Sequence, residues 1–144
     1  MPKSTAICTD ILELLLNATP ITSLALNATA TPAATLYVAL HTADPGAGGT
    51  QATNEVAYTG YARASVARNP TTKAWTITNG SAKPVSPITF PKNTGTTTVT
   101  PTHASIGLAS TGTSKFLYSG AITNRAIAPG DSLIVEAISE IKET

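Results

Sequence analysis

Two histidines, His41 and His103, and one cysteine, Cys8, are the side chains here best suited to metal binding or nucleophilic chemistry. His41 closes the run LYVALH and stands three positions before Asp44 in LYVALHTADPG, residues 36–46. His-x-x-Asp with one distant histidine lacks the close ligand spacing and paired cysteines of a zinc site, so no metal is expected. No Gly-x-Ser-x-Gly sets a serine on a strained strand-to-helix turn. GAGG, residues 46–49, lacks the Lys-Ser/Thr of a phosphate loop and opens no helical pattern, so its glycines serve turns and no cofactor is expected. The eight Asp and Glu are mostly isolated or gathered in EAISEIKE near the C-terminus, and give no acid–base pair. The sequence therefore predicts a protein that is not an enzyme. Cys8 cannot form an internal disulfide, and beside an apolar run it reads as a small core residue.

The elements that position these residues follow from spacing. LYVAL is strand-forming, and Asp44-Pro45-Gly46 is a turn, with proline presetting its own dihedral and glycine supplying freedom after it. His41 falls on the Tyr37 and Ala39 side of the strand, opposite Leu36, Val38 and Leu40. A hydrogen bond from His41 to the turn backbone accounts for both features without a catalytic role. Upstream, residues 4–17 predict a helix whose stripe is Ile7, Ile11, Leu14 and Leu15, widened by Leu12 and Leu16. Asp10 and Glu13 have capping-box spacing, Ser4 offers an earlier start, and the helix must stop before Pro20.

Beyond residue 20 the texture is β. Seven strand-length runs appear, at 35–40, 60–68, 74–79, 87–90, 103–109, 115–122 and 131–139, separated by Gly, Pro, Asn and Thr. Seven strands and one helix, with no helical crossovers, predict a mainly β protein: an antiparallel β-sandwich or jelly roll of about seven strands with an N-terminal α-helix. Trp75 and Ile77 share one face of their strand and Thr76 and Thr78 the other, which makes Trp75 a core anchor. The last run, with Leu133, Ile134, Val135 and Ile138, alternates less and suits a central strand or a contact with another chain. Residues 93–102 read as a connector or exposed arm, and 109–115 and 128–131 as turns. One domain over 1–144 is expected, with a helical segment at 1–20 and the sandwich at 35–140.

Composition narrows the partners. A net charge of +1, with 12% charged residues and nine scattered Lys and Arg, supplies no phosphate-binding surface, so nucleic acid is not an expected partner. So sparse a charge leaves the surface to Thr, Ser, Asn and Ala, which suits a protein packed against neighbours. No run approaches the roughly 20 apolar residues of a membrane span, and Asp10 and Glu13 interrupt any secretory signal, so synthesis in a reducing cytoplasm is expected and a membrane is not. Asn17, Asn27 and Asn79 stand in Asn-x-Ser/Thr triplets, as expected by chance in a chain rich in Asn and Thr.

LYVALHTADPG, NEVAYTGYARASVAR, ITFP, THASIGLAS, FLYSGAI and IAPGDSLIVEA together resemble a family of small tailed-bacteriophage and prophage virion proteins, usually labelled tail fibre or minor structural proteins. LHTADPG with YTGYAR is the most specific part, and the resemblance runs over roughly residues 4–140. It implies a β-rich component of the virion with no catalytic residues to transfer. Two locations are open. One is the outer capsid, where a cement or decoration protein would bridge subunits of the major capsid protein and stabilise them by mass action; this is the first expectation, because nothing resembles a fibre shaft repeat. The alternative is a fibre-associated or adaptor module of the tail or baseplate, serving host adsorption. A carbohydrate-binding module is disfavoured by 5% aromatics, with Tyr58 and Tyr61 the one close pair. Partners are then other virion proteins and a second or third copy of the chain, a trimer or dimer. The 42–60 loop and the helix are the expected interfaces, through Ile11, Leu15, His41, Asp44, Pro45, Tyr58 and Tyr61, with the helix dispensable for folding of the β part.

Overall fold

Ser4, not Asp10, starts the helix. In the computed structural model, which describes residues 3–25, 32–136 and 140–142, the Ser4 side chain accepts the Ile7 N–H at 3.3 Å and α1 runs Thr5–Asn17. It ends where Ala18 turns left-handed (φ 60) and the Thr19 N–H reaches the Glu13 carbonyl at 3.0 Å, two residues short of Pro20. Among the described residues nine strands follow: β1 (Thr35–His41), β2 (Ala64–Ala67), β3 (Trp75–Thr78), β4 (Ser81–Pro84), β5 (Ile88–Thr89), β6 (His103–Gly107), β7 (Phe116–Ala121), β8 (Ile134–Val135) and β9 (Ile141–Lys142). They form a four-stranded sheet β2-β1-β6-β7, a three-stranded sheet β3-β4-β9 and a pair β5-β8. The protein is mainly β and antiparallel with an N-terminal helix, as the sequence predicts, and among the described residues no sheet closes into a barrel. The chain divides into two interleaved compact units, each built from separate stretches of sequence.

The first unit comprises Met1–Thr35, Ala67–Ile88 and Val135–Thr144. Here α1 packs on β3 and β4. The centre of its buried face is Cys8, Leu12 and Leu16, spaced four apart, while Ile7, Ile11, Leu14 and Leu15 are half-buried. The stripe is thus rotated from the one periodicity suggests, with the Cys8, Leu12 and Leu16 line buried in a helix that packs on the strands carrying the buried Trp75 and Ala82. Trp75 is a core anchor at 3% exposure. β3 and β4 form a hairpin that sequence reading missed, closed by Asn79 and Gly80, both at positive φ (53 and 74). Two central residues in that conformation match the twist of the strands they join.

Two side chains brace the helix end. Arg68 donates to the Leu15 and Leu14 carbonyls at 2.7 Å each and to Ala33 O at 3.0 Å. It supplies from afar the cation that the last turn of α1 lacks, satisfying carbonyls with no partner in the helix. Glu13 accepts from Lys73, Asn17 and Thr19 at 2.9–3.1 Å. Burial alone would raise its carboxyl, but these donors outweigh it and hold it below the usual range.

The second unit comprises Leu36–Val66 and Thr89–Ile134. β1 is its central strand, with Leu36, Val38 and Leu40 buried on one face and Ala39 and His41 on the other. Its register with β6 runs from Tyr37↔Gly107 to His41↔His103. Only Ala64–Ala67 of the 60–68 run is strand, because Gly60 (φ 96) sits in a turn that bonds Tyr61 N–H to Tyr58 O at 3.0 Å. The 93–102 segment is pinned and not a free arm: the buried Asn93 donates to the Thr97 and Ile127 carbonyls, and Val99 pairs with Ile127. APGD is the expected turn, with Gly130 at φ 94 and the Asp131 N–H bonded to Ala128 O at 2.9 Å. Of the final apolar run, Ile134–Val135 is strand, Ile134 is exposed, and residues 137–139 lie outside the described residues.

Candidate functional site

His41 does not reach the Asp44 turn. It is fully buried, its Nδ1 lies 2.7 Å from the Thr53 carbonyl and its Nε2 lies 2.8 Å from Ser105 Oγ. A carbonyl only accepts, so Nδ1 carries the proton and Nε2 accepts from the Ser105 hydroxyl. Burial is the main cause that lowers the His41 pKa and favours this neutral form. A hydroxyl bonded to an imidazole that a third group orients has the geometry of an activated nucleophile. Ser105 is 1% exposed, however, so a substrate has no approach to its oxygen. The pair ties β1, β6 and the 50–54 turn together.

The second cluster is one the sequence did not reveal. Arg63 lies in the YARAS segment just before β2, with its side chain 2% exposed. Its five N–H donors are all engaged. Nε and Nη2 grip the two Glu55 oxygens at 2.7 and 2.8 Å, Nη1 meets Ala109 O at 2.9 Å and Gln51 Oε1 at 3.5 Å, and Nη2 also meets Gly112 O at 2.8 Å. Bonding to Glu55 is the chief reason its already high pKa is raised further. Tyr61 closes the network, donating to Glu55 at 3.0 Å and accepting the Leu40 N–H at 3.1 Å, and burial pushes its hydroxyl pKa up. The buried Gln51 bonds the Tyr37 carbonyl at 2.9 Å. A Cβ on Gly107 would run into the Gln51 side chain and come within 2.7 Å of Lys115 O, so glycine is required there.

Glu55, Tyr61 and Arg63 of this network line an open depression of about 380 Å³ together with Ala62, Ser110 and Thr111. The Glu55 carboxylate is spent on Arg63 and Tyr61, which makes it a counter-ion of the scaffold and leaves it poorly placed as a general acid or base. Among the described residues no group of three or more His, Cys, Asp and Glu is placed to hold a metal ion. What the arrangement does is mechanical: the bidentate Arg63–Glu55 pair closes the 51–63 loop on itself, and the remaining Arg63 donors fasten it to the Ala109 and Gly112 carbonyls.

The residues expected at an interface are scattered over this frame. Asp44 is exposed and caps its own turn, accepting the Gly46 N–H at 2.8 Å. Pro45 is buried, and with His41 it belongs to the interior of its unit, so neither offers surface to a partner. Tyr58 and Tyr61 meet edge to face at 5.2 Å, and the Tyr58 hydroxyl is tied to Pro91 O at 2.8 Å. Ile11 and Leu15 lie in the first unit and are half-buried. The functional frame residues that sequence reading passed over are Arg63, Glu55 and Gln51. The 60–68 run that holds Arg63 was legible as strand-forming, but the partner of Arg63 eight residues back has no helix or strand spacing to announce it.

No curated protein matches the sequence. Residues 9–141, nearly the whole chain, match the family described as podophage GP4 fiber I protein gp80, and the chain accordingly belongs to that family of phage virion fibre proteins.

Proposed function

We propose that this protein is a non-enzymatic structural module of the tail-fibre apparatus, held in the particle by other virion proteins. The observation that carries this reading is the fibre family's match over 9–141. The geometry supports a structural role: the best hydroxyl–imidazole pair is sealed in the interior, and the most elaborate polar cluster is consumed in bracing loops. Exposed Thr42, Ala43 and Asp44, with Ala47 and Gly48 beyond the buried Pro45, give the 42–60 loop a small, nearly uncharged outer surface for protein contact. Decoration of the outer capsid has sparse surface charge in its favour, but no observation that favours it over the tail.

Localisation tests the proposal. In purified virions, copy number measured by quantitative mass spectrometry against the major capsid protein is expected in the range of a few to a few dozen, with matching cryo-electron microscopy density on the tail. Hundreds of copies with density on the capsid lattice would replace the fibre role with a cement role.

A further inference from the structure

We infer that Asn79 is a site of spontaneous covalent modification, converting through a succinimide to aspartate and isoaspartate, that α1 restrains this reaction, and that its product opens the β3–β4 hairpin. Of the asparagines in the chain only Asn79 is followed by glycine. The reaction joins the side-chain amide carbon to the backbone nitrogen of the next residue, so a next residue without a side chain leaves that nitrogen unhindered. The Gly80 nitrogen forms a bond to Asn79 Cγ, ammonia leaves with the backbone proton, and water then opens the cyclic imide at either carbonyl. No oxidant or reductant is consumed.

Placement in the fold separates Asn79 from its rivals. It is exposed, at the tip of the β3–β4 hairpin inside the pair Thr78↔Ser81. Asn69 precedes Pro70, which has no N–H to lose, and Asn93 is fully buried with its amide bonded to the Thr97 and Ile127 carbonyls. The restraint comes from the helix. Gly80 is buried, and its N–H donates to Thr9 Oγ1 at 2.8 Å, while the Thr9 hydroxyl donates in turn to the Thr5 carbonyl at 3.0 Å. Attack on Cγ requires the Gly80 nitrogen to lose this proton, so the bond to Thr9 must break first. Docked α1 is therefore a guard, and the rate of modification reports how often the helix lifts from the turn. Once made, the change is one-way. Isoaspartate inserts an extra carbon into the main chain of a two-residue loop, and loop length sets the register of the strands it joins. Those strands carry the buried Trp75 and Ala82 on which the helix packs, so the modification loosens the first unit wherever in the particle the protein sits.

The test incubates the purified full chain in warm, mildly alkaline buffer and follows each asparagine by peptide mapping and enzymatic isoaspartate methylation. Modification is expected at Asn79 ahead of every other asparagine, and more slowly in the folded chain than in the same chain unfolded in urea. Thr9→Val keeps the shape and removes the acceptor, and is expected to speed the reaction by about fivefold, the factor one ordinary hydrogen bond is worth, whereas Thr9→Ser keeps the hydroxyl and stays near the wild-type rate. Trp75, the single tryptophan, reads the consequence. Its emission is expected to shift to the red in the modified chain and to stay unchanged in an incubated Asn79→Gly variant, which accepts the left-handed turn and has no amide to lose. A first modification at another asparagine, a folded rate equal to that in urea, equal rates for Thr9→Val and Thr9→Ser, or a modified chain with unchanged Trp75 emission each overturns the proposal.

Discussion

Arg63 shows how much one side chain carries when its charge is taken out of water. Removing it leaves the Glu55 carboxylate without its bidentate partner and strips the Ala109 and Gly112 carbonyls of their donors. Breaking a buried pair from one side costs about 3–5 kcal/mol; Glu55 is 18% exposed and hydrates in part, so Arg63→Ala is expected at the lower end, about 3 kcal/mol, in chemical denaturation. Arg63→Lys restores the charge but not the fork and should recover less than half of that loss. His41 sets a pH response of definite sign. Its folded pKa is below the ordinary 6.5, so protonation favours the unfolded chain; its contribution is complete above pH 6.5 and falls away as pH drops through the depressed folded value. Denaturation midpoints measured on either side of pH 6.5 should show this acid loss in the wild type, and a His41→Gln variant, which keeps an amide donor and acceptor but cannot titrate, should lack that component.

Among the elements, α1 changes most from expectation to structure. A helix with an apolar stripe suggests an interface and a dispensable segment, yet Cys8, Leu12 and Leu16 are buried in its own unit, where the helix packs on β3 and β4. Deleting residues 1–17 is therefore expected to unfold the first unit, because Trp75 and Ala82 lose their cover and Arg68 loses the carbonyls it binds. Leu12→Ala gives the graded version, with an expected loss of about 2–5 kcal/mol in denaturant. A retained midpoint would mean that the helix is an attached arm. The same logic explains the missed β3–β4 hairpin. Asn79-Gly80 is a strong turn signal, but SAKP has weak strand propensity, and pairing with Trp75–Thr78 makes it a strand.

For the whole molecule, tail localisation at low copy number is the outcome that the fibre assignment predicts. Much of this protein was determined by its sequence alone. Alternating Thr, Val, Ile and aromatic runs between Gly, Pro and Asn turns dictate antiparallel β structure, because side-chain periodicity and turn dihedrals are local properties of the chain. Ser4, the APGD turn and the family motifs were legible for the same reason. Tertiary structure decided the rest. It chose which side of α1 is buried, shortened the 60–68 and 131–139 runs, and divided the chain into two interleaved units. It also turned His41 from a candidate site residue into an interior brace and revealed the Arg63–Glu55–Tyr61 network. Those features join residues 8, 12, 46 or 64 positions apart, and no periodic pattern connects them. They form because a buried polar group must find its partner wherever the folded backbone brings one within about 3 Å.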